Sequence, residues 1–153
     1  MHLLATAALA AGISLLGGAA PPAATAPSPS DAQLEAAIAD WFTKGGDKRV
    51  LALQTDFEAI AKAAGAIDIP AVKTSCSTLK TDVDKAQAYA PLPDALAQKS
   101  WAASLDLYEM AALDCVSGAD KVDADLLLKS NDEMLQGSKE LGKATERIEA
   151  ILN

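Results

Sequence analysis

Histidine is almost missing from this 153-residue chain; His2 is the only one. If an N-terminal leader is removed, no imidazole remains to hold zinc, copper or haem. A Ser-His or Cys-His catalytic pair is excluded in the same way. Aromatic residues supply only 4% of the chain. No apolar alternation of period two persists anywhere, so a sheet-based core is not expected. Basic residues are in deficit, 13 Lys and Arg against 21 Asp and Glu, for a net charge of −8. Such a surface repels phosphate backbones and anionic lipid, and nucleic acid is not an expected partner. Cysteine is limited to Cys76 and Cys115. These shortages leave no expected cofactor, no metal site and no enzymatic activity.

What the chain has in quantity is alanine and leucine. Half of the residues are apolar, and this bias favours close-packed helices. Met1 to Ala20 (MHLLATAALAAGISLLGGAA) holds no acidic or basic residue and reads as a secretion signal. His2 stands where Lys or Arg is usual, and cleavage after Ala19 is the preferred site. The rival reading is a retained membrane anchor: Leu3 to Ala20 would span roughly 27 Å as a helix, against about 30 Å of hydrocarbon. Leu15-Leu16-Gly17-Gly18-Ala19 is close to a lipobox without the cysteine that carries the lipid. Residues 21–30 (PPAATAPSPS) form a small-residue, proline-rich linker. Residues 31–153 are the folded domain.

Within that domain, Ser30 or Asp31 caps a first helix from Ala32 to about Lys44, stopped at Gly45-Gly46. Asp47 caps a second, with Val50, Leu53, Phe57, Ile60 and Ala64 at spacings of three and four, ending at Gly65. Asp68 and Pro70 start a third, carrying Val72, Cys76, Leu79, Val83, Ala86 and Ala90 on one seam. After a break at Pro91-Leu92-Pro93, Ala97, Trp101, Tyr108, Ala112 and Cys115 continue the pattern to Gly118. The last helix runs from about Lys121. Asp120, Asp123 and Asp125 suit its positive N-terminal end, and Leu127, Ser130, Met134, Gly137, Leu141, Ala144, Ile148 and Ile151 form its seam. The fold class is therefore all-α: an antiparallel four-helix bundle with an additional short N-terminal helix.

Both cysteines fall on seam positions. An even number of buried cysteines in an exported chain points to a Cys76–Cys115 disulfide, the alternative being two free thiols. A tight symmetric hairpin would leave the sulfurs roughly 12 Å out of register. Bonding therefore requires the stretch Ala88–Pro93 to run as an extended arm.

Other motifs reduce to ordinary structure. Ser77-Thr78-Leu79-Lys80 matches a Ser-x-x-Lys pattern, but the partner motifs and mixed sheet of that chemistry are missing. Asp120, Asp123, Asp125, Asp132 and Glu133 lack the spacing of a calcium loop. The turn Lys44-Gly45-Gly46-Asp47-Lys48-Arg49 has the makings of an anion site, with Asp47 as a competitor for the position. Trp41, Trp101 and Tyr108 lie at core spacing.

Trp41 with Gly45-Gly46, Asp56, Cys76-x-x-Leu79-x-x-Asp82, Pro91-x-Pro93-Asp94, Trp101 and Cys115 together form a pattern. It resembles small exported or lipid-anchored α-helical proteins of actinobacteria and their phages. The resemblance implies a secreted or cell-envelope location and no particular reaction. The expectation is a non-enzymatic bundle that binds another cell-envelope protein, with phage superinfection exclusion as one form of that activity. The alternative is a carrier holding an apolar ligand between helices, in space left by Ala86, Ala97, Ala112, Gly137 and Ala144. Membrane contact is expected only if residues 1–20 are retained.

Overall fold

A computed structural model describes residues 30–153; the expected signal or anchor and nearly all of the linker lie outside the described residues. Five helices follow in order: α1 (Asp31–Trp41), α2 (Asp47–Gly65), α3 (Ile69–Gln87), α4 (Ala95–Lys121) and α5 (Ala124–Leu152). There is no strand among the described residues. The backbones of α2 and α3, α3 and α4, and α4 and α5 approach closely in sequence order, joined by short connections. This is the expected antiparallel bundle, with α1 packed against α5.

Aspartates set three of the helix starts. Asp68, Asp94 and Asp123 accept hydrogen bonds from backbone N–H groups of the first turns of α3, α4 and α5. Asp94 is also buried and receives Arg147 of α5 through two nitrogens, at 3.1 and 2.9 Å. The guanidinium holds the Asp94 carboxyl below its ordinary range.

The structure keeps one expected boundary and revises others. Gly45-Gly46 breaks the helical path as expected: α1 ends at Trp41, and the chain bends through Phe42–Gly46 before α2 begins at Asp47. Gly45 absorbs the kink at φ 130°, and a Cβ on Gly46 would fall 2.2 Å from the Trp41 ring. Both glycines are therefore fixed by the bend that folds Trp41 under α2. Gly118 lies inside α4, which continues to Lys121, and α5 starts only at Ala124. Asp120 thus occupies the last turn of α4, the unfavourable end of the dipole, where Lys73 of α3 pairs with it at 2.5 Å.

The ends of α2 and α4 share an unusual feature. Each closes with Schellman hydrogen bonds: Asp68 N–H to the Ala63 carbonyl, and Asp123 N–H to the Gly118 carbonyl. The left-handed residue of such a cap is commonly glycine. Here it is Ile67 at φ 54° and Val122 at φ 52°, and their side chains stay 83% and 74% exposed. Neither burial nor backbone preference explains a β-branched residue in that conformation. Ile67→Gly and Val122→Gly are each expected to raise the unfolding free energy by about 1 kcal/mol, measured by urea denaturation. A decrease in both would show that the side chains stabilise the caps.

The core runs the length of the bundle. Cys76, Leu79, Val83, Ala97, Tyr108 and Ala112 are almost completely buried. Small seam residues serve close packing: a Cβ on Gly137 would lie 2.5 Å from the Tyr108 ring. Gly137→Ala is therefore expected to destabilise by about 2 kcal/mol through overpacking. Unchanged thermal unfolding would refute that account.

Candidate functional site

Cys76 and Cys115 are bonded, with Cα atoms 6.0 Å apart. Eleven residues separate Cys76 from the end of α3 at Gln87, and twenty separate the start of α4 at Ala95 from Cys115. The difference corresponds to about 13 Å of helix. The non-helical arm Ala88–Asp94 takes it up. It is held in place by the Trp41 indole N–H on the Ala90 carbonyl (2.7 Å) and by Leu92 N–H on the Gln98 side chain (2.7 Å). Leu92 itself is buried.

The bundle is less complete on its remaining side. The first and last long helices, α2 and α5, lack the close backbone approach made by the other neighbouring pairs. A groove runs between them, and its apolar floor comes from α3 and α4. Two clefts occupy it. One, of about 230 Å³, lies between Ile60 and Ala64 of α2 and Leu127, Asn131 and Met134 of α5, with Cys115 on its floor. The other, of about 270 Å³, lies between Val50 and Gln54 of α2 and Leu141, Thr145 and Ile148 of α5, over Trp101. Trp41 and Phe42 close its far end.

Phe57 divides the two. It is half-buried on α2 between the cleft-lining Gln54 and Ile60, and its ring packs on Tyr108 with centroids 4.7 Å apart. Tyr108 in turn fills the space beside Gly137, and its hydroxyl reaches Ser138 at 3.3 Å. Burial raises the Tyr108 pKa above its ordinary value, so the phenol stays a neutral packing group. Ala86, Ala97, Ala112, Gly137 and Ala144, the residues expected to leave space between the helices, are all buried, and of the five Ala144 lines the cleft over Trp101.

The remaining sequence motifs occupy structural positions. The Ser77 hydroxyl donates to the Lys73 carbonyl, and the Lys80 ammonium is engaged by Asp84 and Glu109, so neither group activates the other. The glycines of the Lys44–Arg49 turn are buried, and the Arg49 guanidinium lies 4.9 Å from the centroid of Tyr89. No group of three or more His, Cys, Asp or Glu suited to a metal occurs among the described residues. None of their helices is long and apolar enough to cross a membrane.

Two features were not anticipated. Asp56, on the α3-facing side of α2, is 5% exposed, and its Oδ2 has no hydrogen-bond partner. Burial first, then the neighbouring Asp82 carboxyl, raise its pKa to about 6. Ile67 is the other, since it sits both at a strained cap and at the mouth of the Cys115 cleft. The spacing Leu53, Asp56, Ile60, Ala63 carried the signal for the first. The second had none, because left-handed backbone is invisible to periodicity. No protein-family model, curated protein or solved structure matches this chain.

Proposed function

We propose that the chain is an exported, non-enzymatic protein of the cell envelope or its exterior, and that it binds another envelope protein through the α2–α5 groove. The observation that carries this reading is the division of the groove by Phe57. Two half-open apolar clefts of about 230 and 270 Å³ suit separate side-chain anchors. A carrier for one long apolar ligand would instead require a continuous enclosed cavity, and the Phe57–Tyr108–Gly137 stack interrupts that path. Superinfection exclusion, by occupying an envelope component that a phage requires, is the specific form suggested by the family resemblance.

Site-specific photo-crosslinking on intact host cells tests the reading. A benzophenone side chain at Gln54 or Thr145 is expected to capture an envelope protein. The same group at Thr81, exposed on α3, is expected to capture none above background. Equal capture from both faces, or none from the groove, would overturn the proposal. Native mass spectrometry of protein from its own host addresses the carrier: a stoichiometric co-purifying lipid would replace the protein partner.

A further inference from the structure

We infer that the groove takes a single amphipathic helix of the partner, with basic flanks, seated by two bulky apolar side chains eleven residues apart, and that Ile67 is a dedicated contact for one of them. The inference rests on the groove being a protein-binding surface. Its detail comes from spacing, charge and backbone strain.

Spacing sets the ligand's period. On α2, Val50 and Gln54 line one cleft and Ile60 and Ala64 the other, a shift of ten residues; on α5 the corresponding shift, Leu127 to Leu141, is fourteen. These correspond to about 15 and 21 Å along the two walls. A helix repeats its face after eleven residues, about 16–17 Å, so side chains at i and i+11 reach both clefts. The Phe57 ridge between the clefts requires small residues midway, at i+4 and i+7.

Charge sets the flanks. Glu58 follows Gln54 by four residues and Glu149 follows Thr145 by four, which places each carboxylate beside a cleft-lining residue on its helix surface. Neither has an ion-pair partner among the described residues. The described domain also carries the whole net charge of −8. Lysine or arginine beside the apolar stripe would be attracted and steered to the groove.

Ile67 supplies the independent observation. Its backbone occupies the left-handed region where glycine or asparagine is stabler. Its side chain nevertheless projects into solvent at the edge of the Cys115 cleft. Val122 shares that backbone and exposure but lines neither cleft, so it is the placement of Ile67 at the cleft mouth that makes it a candidate contact. On the opposite wall Leu128 and Leu135, 65% and 55% exposed, stand three residues before and four after Asn131, extending the apolar rim.

The probe is a synthetic helical peptide of about 18 residues, with phenylalanines at i and i+11, alanines between them on that face, and lysines flanking. A control of identical composition carries them at i and i+9, on opposite faces. By calorimetry at low salt, the first is expected to bind at least about tenfold tighter than the control. Ala64→Trp and Thr145→Trp, each at an exposed position overhanging one cleft, should each lower that affinity by about tenfold or more. Ile67→Asn should raise the thermal midpoint while weakening peptide binding, a combination that a purely structural residue would not produce. Equal affinity for the two peptides, or unchanged affinity after Ile67→Asn, would overturn the inference. Groove-dependent sedimentation with phosphatidylglycerol vesicles, without discrimination between peptides, would replace the helix by a membrane surface and overturn it too. A groove crosslink mapping to a non-helical partner segment would defeat this inference and leave the proposed function standing; absence of any groove crosslink would defeat both.

Discussion

Replacing Cys76 and Cys115 together by alanine is expected to lower the unfolding free energy by about 4 kcal/mol. The bond closes a loop across a sequence separation of 39 residues. Without it, the denatured chain regains the freedom of the Pro91–Pro93 arm and of both flanking segments. Domains of this kind typically have only about 5–15 kcal/mol in total, so the variant would retain its fold with a thermal midpoint lower by roughly 10–20 °C. Urea titration measures the change directly, and a loss below about 1 kcal/mol would rule out loop closure as the main contribution. A second outcome follows from burial. Cys76 is fully buried and Cys115 2% exposed, so reductant added under native conditions should leave the bond intact. Rapid native reduction would show that the α3–α4 seam opens without global unfolding.

The sequence made the bundle readable because its apolar spacing and its punctuation agree. Val72, Cys76, Leu79 and Val83 repeat at four, three and four, and all four are buried. Asp68, Asp94 and Asp123 cap the helices that they precede. Glycine was a mixed guide. Gly45-Gly46 breaks the helical path and Gly65 ends α2, as expected, whereas Gly118 permits a close approach to Leu126 and Leu127 inside α4. Just beyond the ends of α2 at Gly65 and α4 at Lys121, the chain turns at Ile67 and Val122, whose side chains argue against the conformation that they adopt. The groove was hidden for a related reason. Val50, Leu53, Phe57, Ile60 and Ala64 form a credible seam, but only Leu53 and Ile60 are buried; Val50 and Phe57 are half-buried and Ala64 is exposed. The seam read from spacing thus straddles the core and the groove. The fully buried stripe, Leu53, Asp56, Ile60 and Ala63, turns toward α3 and includes a carboxylate, which a search for apolar periodicity passes over.

That carboxylate leads to the second large effect, a stability that falls as pH rises from about 4 to about 6. Asp56 lies between α2 and α3, facing Asp82, which is itself paired with Lys85 at 2.5 Å. Burial and the Asp82 charge both oppose ionisation, lifting the Asp56 pKa from 3.8 to about 6, with Lys85 pulling the other way. The folded state therefore binds this proton more tightly than the unfolded state. Its stabilising contribution is complete below the unfolded value, is lost as pH rises through the folded value, and declines no further above it. The amount at stake is on the order of 2–3 kcal/mol. Asp56→Asn removes the charge and gives Asp82 a permanent amide donor. At pH 8 the variant is expected to exceed the parent in stability by that order; near pH 4 the two should converge. The difference between the two proteins is the quantity to follow, because other carboxylates slope in the opposite direction. Asp94 is the clearest of these, since its salt bridge to Arg147 holds its pKa low. A pH-independent difference would mean that Asp56 keeps its charge at all these pH values, with water reaching Oδ2. Convergence at low pH would instead mean that α2, which forms one wall of the groove, is held to the bundle more weakly once Asp56 ionises.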